Sequence, residues 1–371
     1  MPKNPNILGI KVHSLYNPEP DKYVSTVDAW RVHRPLSKLK EKGWNADVKG
    51  KWLQHGKIED IGMQRELTEL GETYDIIYMS YLREQPHYLL LVWLREKMGM
   101  KVVMDIDDDL FNISEWNPAR EYIHPGSKDH FNLWSIVRDV EYISTTTEHL
   151  AKKFRKLRPD KPPESVVVLP NYASTGFYPL SEPDNGKDVL IGWQGSAHHH
   201  GDLHTTGFMR ALEKVMHAHK NTRFESVGHP IMDTNLPAKR RKTTLMEKPG
   251  LQYWKKLFPK LHFDIGCAPL EDSEFNKGKS NIKWQEYAIM GAATVASDVG
   301  PYKEVIDHGR NGLLAKNEGD WEKHLTYLIN NPKERKQMAI EARKDFLDKY
   351  TLEKNYTVYE DFFRKIYGKT G

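Results

Sequence analysis

The sequence predicts an α/β protein in two domains, with parallel strands, and three observations carry that prediction. Short apolar strands alternate with amphipathic helices along most of the chain. The stretch from Asp264 to Lys316 closes into a complete β–α–β–α unit. A run rich in Pro, Gly, Ser and Asp, YASTGFYPLSEPDNGKD, interrupts the alternation near the middle and reads as a linker. At 371 residues there is enough chain for two cores. The expected division is 1–172, a linker at 173–187, 188–350, and a final helix at 351–371.

Composition narrows the class. A hydrophobic content of 39% with 29% charged residues describes a soluble globular protein. No apolar run reaches the eighteen or so residues of a membrane span. The start, MPKNPNILGIKV, lacks the apolar core and cleavage site of a signal peptide. A single cysteine, Cys267, sits in an apolar strand and excludes a disulfide framework within the chain, so a cytoplasmic location is expected. A net charge of +4 suits an anionic partner but not a dedicated nucleic-acid binder. The oligomeric state is not legible.

The Asp264–Lys316 unit organises the rest. Its first strand (Ile265 to Leu270) passes through a Lys-rich turn into a helix from about Ser280 to Met290. Gly291 stops that helix, because glycine reaches the left-handed conformation of a helix end. A second strand (Ala293 to Ser297), a Gly-Pro turn and another helix follow. Such units bind ligands at the carboxyl ends of their strands, where helix amino termini present free N–H groups. Lys279, Ser280, the amides of Asn281 and Ile282, and Lys283 therefore form a candidate anion seat. Glu286, one to two turns on, is placed to accept hydrogen bonds from a sugar diol.

This stretch resembles the donor-binding half of GT-B glycosyltransferases, in the large retaining family that includes sucrose and glycogen synthases. It is most similar to a branch common in bacteriophages and bacteria, and SDVGPYKEVIDHGRNGLLA matches the family's closing pattern. The resemblance implies two facing Rossmann-like domains, a cleft between them, and a last helix returning to the first domain. It implies a nucleotide diphosphate sugar as donor, a UDP-sugar by preference, with no further cofactor, and retention at the anomeric carbon. In that family one glutamate touches the donor sugar and a second, eight residues later, holds the ribose. Glu286 stands at the second position; Gly278 stands at the first, a departure that leaves Lys279 to take part of the diphosphate contact.

Along the first half, Asn6 to Val12, Asn45 to Trp52 and Tyr74 to Tyr81 read as strands. Helices are expected at Glu59 to Leu70 and Pro86 to Met98, and a polar loop at His13 to Ser25. The helix carrying DAWRVHRPLSKLKEKG places Arg31, His33 and Arg34 either at the cleft mouth, as acceptor-binding groups, or on a solvated basic face. KVVMDIDDDLF gives a strand from Lys101 ending in Asp105, Asp107, Asp108 and Asp109. Such a cluster can hold a divalent cation, cap a helix, or meet an acceptor hydroxyl. The last is preferred here: Asp107 as general base or orienting acceptor, Asp108 beside it, and no metal. Trp116 to Asn132 reads as a loop crossing the cleft, followed by a helix (Phe131 to Glu141) and a strand (Tyr142 to Thr146). Thr147 is the expected amino-cap of a helix from Glu148. Ser165 to Tyr172, ending Pro170-Asn171, closes the domain.

In the second half, a strand (Val189 to Trp193) enters a glycine turn in which Gly195 and Ser196 can bring amides to a phosphate. Of three consecutive histidines, His199 is placed with the diphosphate or the sugar; zinc is not expected, because contiguous residues point apart. A helix starts near Asp202, another spans Phe208 to His219, and RFESVGH is the next strand. In relatives the loop after it grips the base, which points to Val227 to Pro230, with Gly228 at its centre. The basic run LPAKRRKTT and the helix PGLQYWKKLF read as a solvated loop and a packed helix, or as a nucleic-acid contact. Three helices end the chain: Glu318 to Asn330, Lys333 to Lys349 and Leu352 to Tyr367.

The function expected is transfer of a sugar from a nucleotide diphosphate sugar to a hydroxyl. The acceptor is a hydroxymethylated pyrimidine in phage DNA or, alternatively, a cell-surface or exopolysaccharide sugar. A non-catalytic nucleotide-sugar binder or a nucleotide-sugar epimerase on the same fold stays open.

Overall fold

The structure is a computed structural model that describes residues 4–12, 24–50, 58–183, 186–231, 234–245 and 250–368. Most of the expected loop from His13 to Ser25, the end of the second expected strand at 51–52, and parts of the linker and of 231–260 lie outside the described residues.

β1 (Ile7–Ile10), β2 (Ala46–Lys49), β3 (Ile76–Ser80), β4 (Lys101–Asp105), β5 (Tyr142–Thr145) and β6 (Val166–Val168) form one parallel sheet in the order β2-β1-β3-β4-β5-β6. β7 (Val189–Gly195), β8 (Thr222–Gly228), β9 (Arg241–Leu245), β10 (Ile265–Ala268), β11 (Ala293–Ser297) and β12 (Leu313–Ala315) form a second, in the order β12-β11-β10-β7-β8-β9. Helices cover both sheets, as buried parallel strands require. In the second sheet the chain leaves β7 toward β8 on one side and returns as β10 on the other. The crevice above the carboxyl ends of β7 and β10 is thus the topological switch point, where such sheets bind ligands.

Two expectations change. The basic run at 239–242 is not simply a loop: Arg241–Leu245 pairs in parallel with β8 as an edge strand. The strand expected from Ser165 to Tyr172 is only Val166–Val168, since Pro170 has no N–H to donate to a ladder. The helix after β1 contains a wide π turn, Ala29–His33, where Arg34 N–H reaches back to Ala29 O. Pro35 supplies the cause, because it cannot donate to Arg31 O four residues earlier.

The last helix, Thr357–Tyr367, buries Tyr359, Phe362, Phe363 and Ile366 against the first sheet. The chain therefore crosses between the halves twice. The crossings lie side by side: Ala173 bridges Thr351, and Leu352 N–H donates to Ala173 O at 2.9 Å. Glu353 fastens them, accepting from Ser174 Oγ at 2.6 Å and Thr175 N at 3.3 Å. Among the described residues no helix is long and apolar enough to cross a membrane.

Candidate active site

The loops after β7 and β10 build one wall of the cleft. Gly195 and Gly228 sit opposite each other at the ends of β7 and β8. Gly228 has a φ of +100°, and a Cβ there would stand 2.6 Å from Gly195 O, so only glycine lets these strand ends approach. Ser196 is exposed, with Oγ 3.1 Å from His198 Nδ1. His199 lies between two charged groups: Nδ1 is 3.0 Å from Asp202 Oδ2, and Nε2 is 3.4 Å from Lys283 Nζ. With its proton on Nδ1 facing the carboxylate, the ring turns its lone pair to the ammonium. Burial, then Lys283 and Lys279, hold this imidazole well below its ordinary pKa, so it is neutral. Burial, then Lys279, bring Lys283 down to about 8. Asp202, raised by burial to about 6, also accepts from Glu271 N–H at 2.9 Å and Asn276 Nδ2 at 2.8 Å, joining the loops after β7 and β10.

The Ile282–Met290 helix starts two residues later than expected. Asn281 offers no side-chain cap; its Oδ1 accepts from Gln285 Nε2 at 2.7 Å. The first-turn amides remain uncapped by that residue. Gly291 ends the helix at φ 74°, as expected. Glu286 is 5% exposed and accepts from Gln194 Nε2. Burial raises its pKa to about 7.

The opposite wall carries the aspartates, and the structure separates their roles. Asp105 is buried against Arg31, which donates to both of its oxygens at 2.8 Å. Asp109 is buried against Lys153. Asp108 pairs with Lys279, Nζ lying 2.8 Å from each oxygen. Among the described residues Asp107 alone of the four has no side-chain hydrogen bond or ion pair. Burial, then Asp108 and Asp105, raise its pKa to about 7. The three histidines have separate surroundings, His200 meeting the His204 ring at a tilt and the His229 ring edge-on. No three His, Cys, Asp or Glu side chains among the described residues are grouped to hold a metal ion.

The expectation for the first basic group needs correction. Arg31 is 0% exposed and does not lie at the cleft mouth. The wide turn aims it inward, where it also donates to Leu169 O at 2.7 Å and Asn171 Oδ1 at 2.8 Å. Removing one partner of such a buried pair strands the other charge, so Arg31→Met is expected to cost about 3–5 kcal/mol in urea unfolding. A loss under about 1 kcal/mol would show that Asp105 finds other compensation. Arg34 is also buried rather than on a solvated face. It is stacked on Trp30, Phe177 and Tyr178 and donates to Tyr178 Oη at 2.8 Å. His33 is part-buried; burial, then Lys11 and Arg34, lower its pKa.

Gly278 has a structural reason. Its carbonyl accepts from Thr147 Oγ1 at 3.2 Å, and a Cβ there would lie 2.7 Å from Leu150 Cδ2. The first half packs where a glutamate would begin. Trp116, from the expected crossing loop, does reach the second half, donating to Glu271 Oε2 at 3.1 Å.

Residues 256–361 match the family model described as "Glycosyl transferase-like". A search of curated protein sequences returns no match. Among solved structures, sucrose-phosphate synthase from Thermosynechococcus elongatus is 12% identical, covering 99% of this chain and 100% of its own, with a TM-score of 0.64. Anabaena HepE in complex with UDP-glucose is 10% identical at 99% and 100% coverage, TM-score 0.64. A glycosyltransferase from Rickettsia africae is 12% identical, with 100% of each chain covered and a TM-score of 0.64. The fold is GT-B. In this GT-B chain the two walls face each other across the expected cleft. Several groups around it had no local signal: Asp202, Gln194 and Trp254 carry no motif, and Tyr178 sits in what reads as a linker.

Proposed function

We propose that this protein is a nucleotide-sugar-dependent glycosyltransferase whose donor diphosphate sits at the start of the Ile282–Met290 helix. One observation supports it above the others: Lys279 and Lys283 at that helix tip face Asp107 and Asp108 of the opposite wall. In the reaction the bond from the sugar's anomeric carbon to the phosphate oxygen breaks, and its electron pair leaves with the diphosphate. Lys279, Lys283, Ser196 and the first-turn amides stabilise that growing charge. The acceptor oxygen forms the new bond to the anomeric carbon, and Asp107 takes or orients its proton. Glu286 accepts from the ribose diol, the Gly228 loop meets the base, and His199 braces Lys283. A UDP-sugar is the preferred donor, since HepE is seen with UDP-glucose.

For the acceptor we favour a glycan hydroxyl over DNA. The basic run belongs to the edge of the second sheet: Arg240 binds the Met216 and His219 carbonyls, and Lys242 pairs with Glu225 at 2.9 Å. Thermal unfolding with UDP and UDP-glucose tests the donor. Ligand at a hundredfold over Kd adds about 2.7 kcal/mol, and absence of any shift with nucleotide sugars would remove the reading. Stabilisation without turnover, even hydrolytic, would favour the binder. A rate that fell steeply with salt would restore the DNA acceptor.

A further inference from the structure

Three consecutive residues at the donor helix tip are each tied to a different element of the first half. Thr147 holds the Gly278 carbonyl, Asp108 holds Lys279, and Asn171 Nδ2 donates to Ser280 Oγ at 2.9 Å. The third tie is anchored at its far end. Asn171 is 4% exposed, and its Oδ1 accepts from Arg31 Nη1 at 2.8 Å. Arg31 has only donors, so the amide oxygen must face it and the NH2 must face Ser280. Ser280 Oγ, already accepting, keeps its own hydrogen for another acceptor. The backbone acts in the same direction: Asn171 O accepts from Gln285 Nε2 at 2.7 Å, the group that also holds Asn281 Oδ1. One residue thus fixes positions 280, 281 and 285 of the helix entry.

We propose that Asn171 is a positioning residue for the donor. Acting through Ser280, it sets the first helical turn so that the Ser280 hydroxyl and the free amides meet the diphosphate. The relay Asp105–Arg31–Asn171–Ser280 joins the strand that carries the acceptor-side aspartates to the donor seat. This inference rests on the nucleotide-sugar reading above.

Calorimetric titration of UDP into the full chain tests it, with Asn171→Asp as the decisive variant. Aspartate keeps the oxygen that Arg31 needs and replaces the N–H given to Ser280 with an acceptor, at the cost of a negative charge beside Arg31; urea unfolding of the variant checks that it folds. The expected result is about tenfold weaker UDP binding, equivalent to about 1.4 kcal/mol. Donor KM should rise more than kcat falls. In a Ser280→Ala background, Asn171→Asp should lose the part of its effect that runs through that hydroxyl, so the two losses should sum to less than additive. Wild-type binding of UDP by Asn171→Asp, or losses that simply add in the double variant, would overturn the proposal and leave the donor site standing. Failure of the unaltered protein to bind either UDP or UDP-glucose would overturn both.

Discussion

Lys279→Ala is expected to lower turnover by about 100- to 1,000-fold, the usual loss when one preorganised donor to a developing anion is removed. Its side chain is 18% exposed and its ammonium lies on Asp108, with Phe275 beneath it at 4.5 Å. A partly exposed pair contributes little to folding, so the melting temperature should stay close to that of the unaltered protein. The ground state and the reacting state make different demands on this lysine. Before donor binds, Asp108 neutralises it; once diphosphate charge develops, the leaving group offers the stronger attraction. Steady-state kinetics with saturating donor checks this, and turnover within a factor of three of normal would remove Lys279 from the chemistry.

The second large effect concerns Asp107. A base must be deprotonated, so activity at saturating donor should rise with pH through about 7, where burial and the neighbouring carboxylates place this acid. Lys283 must be protonated to capture the diphosphate, so kcat/KM for the donor should fall as pH rises through about 8, and its profile is a narrow bell. Asp107→Asn should lower kcat about 100- to 10,000-fold and abolish the acid limb while the alkaline limb persists. Glu286 titrates in the same range, but the contact proposed for it is with the donor, so its effect is expected in the donor KM. An acid limb that survives in the kcat profile of Asp107→Asn would assign it elsewhere. Lys279 lowers the Asp107 pKa, so in Lys279→Ala the residual acid limb should move to higher pH.

The features legible in the sequence were those fixed by neighbours along the chain. Gly291 ends its helix in the left-handed region, Thr147 caps the Glu148–Leu157 helix by accepting from Leu150 N–H, and the apolar stripe of the last helix packs inward. Each depends on a few residues of periodicity or one cap. Arg31 was misplaced because its environment is remote: Asp105 lies 74 positions away, and the basic helix around it looks solvated. The buried Tyr178 was hidden by a composition that marks linkers. β9 was hidden for a different reason, since its RKTTL residues are mostly exposed and the strand forms only because β8 leaves an open edge. The acidic cluster was legible as a cluster but not as four roles, because each cation that claims an aspartate comes from another part of the chain.

The paired crossings at Ala173 and Thr351 also bear on how the halves can move. One bridge and the Glu353 carboxylate hold the two crossings together, so the halves share a single junction rather than two separate tethers.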